Sequence, residues 1–106
     1  MPNGMLVADG AHVVVVGRSS CADLDRAGCA QIIKGIDVTS SEAIERMAAS
    51  LEQPVDVVIN NAGYFPDGKD DLTAGLDIEE NLKQYDICAV GPLRVTAALV
   101  RAGRVK

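Results

Sequence analysis

Three short runs rich in β-branched residues, VVVV (13–16), QIIKGI (31–36) and VDVVI (55–59), predict extended segments. The first of them, VVVV, is a continuous β-branched run without polar alternation. This pattern is typical of a strand that is covered on both faces in a parallel sheet. We therefore predict at least three parallel strands, centred on residues 12–16, 31–36 and 55–59.

An amphipathic segment lies between the second and third runs. The apolar residues that share one helix face, at the spacing i, i+3, i+4, i+7, are Ile44, Met47, Ala48 and Leu51. Thr39 and Glu42 stand three residues apart at its start, as in a capping box, and Pro54 follows its end. The order strand, helix, strand is therefore predicted for residues 31–59.

A longer helical pattern runs from about residue 78 to residue 101. The apolar residues on one of its faces are Leu82, Tyr85, Ala89, Leu93 and Val100. Gly91-Pro92 falls inside the pattern, and proline lacks a backbone donor and clashes with the preceding turn. We predict a helix that is kinked at this dipeptide. Alternating strands and helices of these lengths predict an α/β fold with a doubly wound parallel sheet.

Length and charge narrow the class of protein. The chain has 106 residues, 48% of them hydrophobic, which suits a single domain over residues 1–106. The net charge is −5, and aromatic residues make up only 3%, so we expect no binding to nucleic acid. No apolar run reaches the roughly 18 residues of a membrane span, and the first residues lack the pattern of a secretory signal. We expect a cytoplasmic protein without membrane contacts.

The three cysteines, Cys21, Cys29 and Cys88, have neither CxxC nor Cys/His ligand spacing. An odd count without such spacing favours reduced thiols over disulfides or a metal site. The expectation is three small buried side chains and no bound metal.

Four ordered motifs resemble the short-chain dehydrogenase/reductase family. They are GAHVVVVGRSS (10–20), GIDVTS (35–40), VDVVINNAG (55–63) and ICAVGPLRVTAALV (87–100), and they span most of the chain in family order and spacing. The resemblance implies a partial Rossmann-like domain with three α/β/α layers and a nicotinamide cofactor. In open parallel sheets, ligands bind at the carboxyl ends of the strands, where the first three motifs end.

The resemblance assigns part of a cofactor site to residues 18, 19, 37 and 38. Arg18, followed by Ser19, would meet an adenosine 2′-phosphate, because a guanidinium presents a fixed fork of donors to phosphate oxygens. This favours NADP over NAD. Asp37, with the backbone of Val38, would hold the adenine edge. Two alternatives stay open: Arg18 is a solvated surface charge, and Asp37 is a turn residue that leads into a helix.

The same resemblance assigns the residues Asn60, Asn61, Ala62 and Gly63 to the floor of the cofactor cleft beside the adenosine ribose. In the family, the paired asparagines also brace the central sheet. A glycine lets the backbone approach a ligand closely. The alternative is that the two amides satisfy backbone groups where the strand ends, and the two roles are compatible.

The chain also departs from the family pattern. It has no TGxxxGxG turn, which holds the pyrophosphate in the family, and no Tyr-x-x-x-Lys pair, since Gly68 follows Tyr64 by four residues and Ala89 follows Tyr85. The family's catalytic asparagine in the kinked helix aligns with Cys88. We therefore assign no catalytic residues, and expect a domain truncated at both ends in which any NADP binding is weak or vestigial.

The family's first strand normally lies between the strands at 12–16 and 55–59. Its absence leaves three alternatives: these strands pair directly, a partner donates a strand, or residues 5–8 form a hairpin across Asp9-Gly10. In the family, the stretch before Gly10 instead ends a helix. An uncovered strand edge favours a homo-oligomer formed through the sheet edge or the long helix.

Two hypotheses for function follow. The chain is a segment of a reductase that retains the adenosine side of an NADP site, or it is a catalytically silent module that binds a protein partner. The four motifs indicate descent from a reductase and so favour the first hypothesis for the origin of the chain. The missing glycine turn and Tyr/Lys pair favour the second hypothesis for its present activity. The substrate is not predictable from these residues.

Overall fold

The computed structural model describes residues 8–18, 28–66 and 70–105. These residues form two compact units, of which the first ends at Asp37 and the second begins at Val38. Each unit has its own secondary structure. The prediction of a single domain stays a prediction.

The first unit contains a parallel pair of strands, β1 (Val14–Val16) and β2 (Gln31–Ile33). Val15 is the partner of Ile32 at the centre of the pair. The first two predicted strands are thereby confirmed, although each is shorter than predicted.

The backbone before β1 gives little support to the alternative in which residues 5–8 form a hairpin in place of the missing strand. Ala8 is helical, Asp9 and Gly10 form a turn, and Gly10 has a φ of 87°. A glycine with positive φ directly after a helix is the common way to end one, because it carries no Cβ penalty. These residues therefore agree with a helix end rather than a hairpin. Residues 5–7, the first arm of the hairpin, lie outside the described residues.

Helix α1 (Ser41–Ser50) begins the second unit. Ile44, Met47, Ala48 and Leu51 are buried, as their spacing predicts. The cap differs from the prediction, since the Ser40 hydroxyl, not Thr39, accepts a hydrogen bond from the Ala43 N–H at 3.2 Å. Burial of one face, with a side chain that satisfies a free N–H at the start, accounts for this helix.

The predicted long helix is present, with a change of winding in its middle. It consists of α2 (Ile78–Tyr85), a π-helical segment (Asp86–Val90) and α3 (Gly91–Arg101). The Gly91 N–H donates to the Asp86 carbonyl, five residues back, and Pro92 follows in the first turn of α3. The interruption predicted at Gly91-Pro92 thus takes the form of a π-helical turn. Helix α3 packs against α1 and buries Ala98 and Leu99.

The prediction that residues 55–59 form a third strand of the sheet is wrong. Of residues 55–59, only Val55 has a bridge partner, which is Val105 in parallel orientation, and its N–H donates to the Arg104 carbonyl at 2.7 Å. Val57, Val58 and Ile59 are exposed. A β-branched run favours an extended backbone, but a strand also needs a hydrogen-bonded neighbour. Within the described ranges, the sheet consists of β1 and β2.

Candidate functional site

The carboxyl ends of β1 and β2 lie side by side in the first unit. Beyond the strands, the Gly35 N–H donates to the Arg18 carbonyl at 3.1 Å, and the Ile36 N–H donates to the Gly17 carbonyl at 3.0 Å. Gly35 has a φ of 75°, in the left-handed region that favours glycine. The structure therefore brings residues 17–18 and 35–36 together at one edge of the parallel pair.

Arg18 presents an exposed side chain at this edge. Its guanidinium has no ion-pair or hydrogen-bond partner in the part of the chain that the structure describes. Asp37 is half-buried at the end of the same unit. Ser19, which was assigned with Arg18, lies outside the described residues.

Val38 opens the second unit and is held at two points. Its carbonyl oxygen accepts a hydrogen bond from Nη1 of Arg94 at 2.9 Å. Its side chain packs against Gly91, where a Cβ would lie 2.9 Å from Val38 Cγ2. The backbone that the family resemblance assigns to the adenine edge is therefore fixed by α3. Neither Arg94 nor Gly91 was assigned to the site from the sequence.

The residues Asn60, Asn61, Ala62 and Gly63 form an exposed stretch without regular secondary structure. Neither asparagine amide is hydrogen bonded to another described residue, so the bracing contacts that the resemblance implies are not seen there. A Cβ on Gly63 would meet only Phe65 Cε2, at an ordinary 3.6 Å. Their assignment to a cofactor cleft stays a prediction.

Cys88 lies in the π-helical segment and contacts the backbone that follows Gly63. Its Sγ accepts a hydrogen bond from the Tyr64 N–H at 3.4 Å and lies 3.7 Å from the Tyr64 carbonyl oxygen, to which the thiol donates. Cys88 is exposed and Cys29 is half-buried, so the expectation of buried cysteines is wrong for these two. Both are free thiols, and Cys21 lies outside the described residues.

Tyr64 also contacts two charged residues of α2. Its hydroxyl donates to the Glu80 carboxylate, and Lys83 Nζ lies 4.4 Å from the centre of its ring. In a Tyr-x-x-x-Lys pair the lysine lowers the pKa of the phenol, whereas here the ammonium lies over the ring face and the hydroxyl is bound to an anion. The cluster fixes the loop after Gly63 on α2. No sequence spacing indicated it, because the partners are 16 and 19 positions away.

Two negative findings apply to the described residues. They contain no cluster of histidine, cysteine and acidic side chains that could hold a metal ion. None of their helices is long and apolar enough to cross a membrane.

A parallel pair of strands with exposed residues at its carboxyl ends, accompanied by helices, is typical of an α/β protein of the Rossmann type. Two solved structures share this fold with the chain. Serine dehydrogenase from Escherichia coli matches with a TM-score of 0.77 and 27% identity over 94% of this chain. A closed form of serine dehydrogenase complexed with NADP+ matches with a TM-score of 0.78 and 27% identity over 92% of this chain.

These matches confirm the resemblance of the chain to the short-chain dehydrogenase/reductase family. The chain spans 48% and 41% of the lengths of the two matched chains, which is somewhat less than half of each. No protein-family model and no curated protein matches it. The α/β fold of the Rossmann type is therefore established, and the three-layer arrangement stays a prediction.

Proposed function

We propose that the chain is a segment of an oxidoreductase of the short-chain dehydrogenase/reductase type that retains the adenosine side of an NADP site. The observation that carries this proposal is the exposed guanidinium of Arg18 at the carboxyl end of β1, beside the Gly35 turn that follows β2. An arginine without an ion-pair partner among the described residues can meet a phosphate with two parallel hydrogen bonds. The matched serine dehydrogenase that was solved with NADP+ supports the choice of cofactor.

The residues present fit only part of the cofactor. Arg18 would bind the 2′-phosphate, and Asp37 would approach the adenine. When bound, NADP would supply or accept a hydride. The chain contains no TGxxxGxG turn for the pyrophosphate and no Tyr-x-x-x-Lys pair for proton transfer to a carbonyl. We therefore expect binding without turnover by this 106-residue chain.

Binding is tested by NMR titration of the chain with adenosine 2′-monophosphate and with adenosine. A few hydrogen bonds and one charge-assisted pair, less the cost of association, give a dissociation constant on the order of 1 mM. The 2′-phosphorylated ligand should bind more tightly, and added salt should reduce the difference. Arg18→Ala should abolish the preference. Arg46→Ala, which removes another exposed arginine, should leave it unchanged.

Two results would contradict the proposal. One is equal shifts for adenosine and its 2′-phosphate, and the other is an Arg18→Ala variant that still prefers the phosphate. Turnover is tested separately, by NADPH-dependent reduction of a carbonyl panel. Steady reduction by the purified chain, abolished by Asn61→Ala, would show that the expectation of inactivity is wrong.

A second candidate function is a catalytically silent module that binds a protein partner. The observation in its favour is an uncovered apolar face on the long helix, where Leu82, Tyr85 and Leu93 are all more than half exposed. The two functions are compatible, because this face lies on the second unit and Arg18 lies on the first.

A further inference from the structure

The backbone of Val38 is held on two sides, and its own N–H is left over. The Val38 carbonyl oxygen accepts a hydrogen bond from Nη1 of Arg94 at 2.9 Å. The half-buried side chain packs so closely on Gly91 that a Cβ there would lie 2.9 Å from Val38 Cγ2. Among the described residues, the Val38 N–H has no hydrogen-bond partner. Such a backbone donor is satisfied by water or by a ligand.

A fixed N–H donor can distinguish purine bases that have the same shape. The edge of adenine that carries the 6-amino group also carries a ring nitrogen, N1, which accepts hydrogen bonds. Hypoxanthine, the base of inosine, has a hydrogen on N1 and therefore donates there. An N–H whose direction is fixed before binding gains the full hydrogen bond to adenine, because no backbone has to be ordered on binding.

Arg94 is itself held in place. Its guanidinium forms an ion pair with the Asp86 carboxylate and donates to the Asp86 carbonyl at 3.4 Å. Its side chain is 23% exposed. A planar guanidinium with several bound donors has one orientation, unlike the flexible side chain of a solvated arginine. The carbonyl of Val38 is thus bound to a donor that is already fixed.

The contacts of Arg94 also argue against a direct contact with a phosphate. Its charge is already paired with the carboxylate of Asp86, and Nη1 donates to two carbonyl oxygens. The guanidinium of Arg18, by contrast, has no ion-pair partner in the described ranges. An effect of Arg94 on a nucleotide therefore has to pass through the backbone of Val38.

We propose that Arg94 is a positioning residue that gives the chain its preference for adenine. It holds the carbonyl of Val38, and this contact, with the packing on Gly91, fixes the direction of the Val38 N–H. This role rests on the proposed function, since it requires that the chain binds an adenine nucleotide. Arg94 itself makes no contact with the nucleotide.

The test is the ratio of two dissociation constants, for inosine 2′-monophosphate and for adenosine 2′-monophosphate, measured by NMR titration. The two ligands have the same ribose and phosphate, so a change in charge or in overall stability affects both constants alike and leaves the ratio unchanged. Wild type should prefer the adenine ligand by at least about 5-fold, the factor that one hydrogen bond contributes. Arg94→Ala should reduce this preference to less than about 2-fold, because the Val38 N–H is no longer held.

Arg101→Ala is the matched control. It removes another arginine from α3, one whose guanidinium is paired with Glu45. The preference for the adenine ligand should stay at the wild-type value. Adenosine 2′-monophosphate should also shift the Val38 N–H resonance of wild type, and inosine 2′-monophosphate should shift it much less.

Three results would overturn the proposal. They are a wild type that binds both ligands equally, an Arg94→Ala variant with the wild-type ratio, and a Val38 N–H resonance that adenosine 2′-monophosphate does not shift. If Arg94→Ala is unfolded by circular dichroism, Gly91→Ala replaces it, because its added Cβ displaces Val38 from the other side. The shift of the Val38 resonance is measured on wild type and does not depend on either variant.

The proposed function is judged by a different comparison, that of adenosine 2′-monophosphate with adenosine, which depends on Arg18. A chain that prefers the phosphate but not the adenine base would overturn the role of Arg94 and leave the proposed function in place. A chain that prefers adenine but not the phosphate would contradict the proposed NADP site and support the role of Arg94.

Discussion

Arg94 holds the backbone carbonyl of Val38, 56 positions earlier in the chain, through a hydrogen bond of 2.9 Å from Nη1. The same guanidinium forms an ion pair with the Asp86 carboxylate and donates to the Asp86 carbonyl at 3.4 Å. Its side chain is 23% exposed. Arg94 therefore joins the start of the second unit to the first residue of the π-helical segment.

Arg94→Ala should destabilise the chain by about 1–3 kcal/mol, because it leaves the Val38 carbonyl and the Asp86 carboxylate without this donor in a partly buried place. Urea denaturation followed by circular dichroism measures the change. The control is Arg101→Ala, which removes an ion pair with Glu45 whose two side chains are about half or more exposed. Exposed pairs contribute about 0–1 kcal/mol, so equal effects of the two variants would contradict this role for Arg94.

The contact between Gly91 and Val38 leads to a second prediction. A Cβ at position 91 would lie 2.9 Å from Val38 Cγ2 and 3.1 Å from Val38 Cβ, and the β-branched valine is stiff. Gly91→Ala should therefore destabilise the chain by about 1–3 kcal/mol through overpacking, although alanine favours helix more than glycine does.

Gly63→Ala is the matched control for Gly91→Ala. The nearest atom to its added Cβ, Phe65 Cε2, would lie at 3.6 Å, so the unfolding midpoint in urea should hardly change. A Gly91→Ala variant as stable as wild type would show that Val38 moves away at little cost.

Helix periodicity was the most reliable guide to the fold. The buried face of α1 follows directly from its apolar spacing. The extent of the long helix follows from the same kind of spacing, although its apolar residues Leu82, Tyr85 and Leu93 are exposed. The segment at 55–59 differs because Val57 and Ile59 favour an extended backbone whether or not a neighbouring strand is present. Sequence pattern reports the preference of the segment, and pairing depends on the rest of the fold.

The sequence predicted the candidate site only at residues that follow predicted strands along the chain. Gly17-Arg18 and the turn at Gly35 come directly after strands, and parallel strands bring their carboxyl ends to the same edge. The contacts of Arg94 with Val38 and of Tyr64 with Lys83 join distant positions, and no local pattern indicates them. An arginine on an amphipathic helix has the same sequence pattern whether it is solvated or holds a carbonyl.

Substitution of Ser40 tests whether the helix cap is Ser40, as in the structure, or Thr39, as the sequence pattern predicts. Its hydroxyl accepts the Ala43 N–H, one of the N–H groups that a helix start leaves without an internal partner. Ser40→Ala should reduce the free energy of unfolding by about 0.5–2 kcal/mol. Ser41→Ala changes an exposed serine just inside α1 and should have a much smaller effect. Thermal melts of both variants and of wild type measure the two effects. A larger loss from Ser41→Ala would place the cap elsewhere.

The pKa of the Asp70 carboxylate should depend on Asn81. The backbone N–H of Asp77 and then the side-chain amide of Asn81 donate to its carboxylate, and these bonds hold its pKa below the ordinary value of 3.8. Since the folded-state pKa is lowered, the stabilisation is complete above the ordinary value and is lost as the pH falls through the lowered one.

Carboxyl carbon NMR should therefore give Asp70 a low midpoint, and Asn81→Ala should raise it. The pKa of Asp71 is lowered mainly by Thr73, so its midpoint should not move and serves as the internal control. The stability difference between wild type and Asn81→Ala should shrink as the pH falls through this range. An Asp70 midpoint unchanged by Asn81→Ala would mean that the amide does not bind the carboxylate in solution.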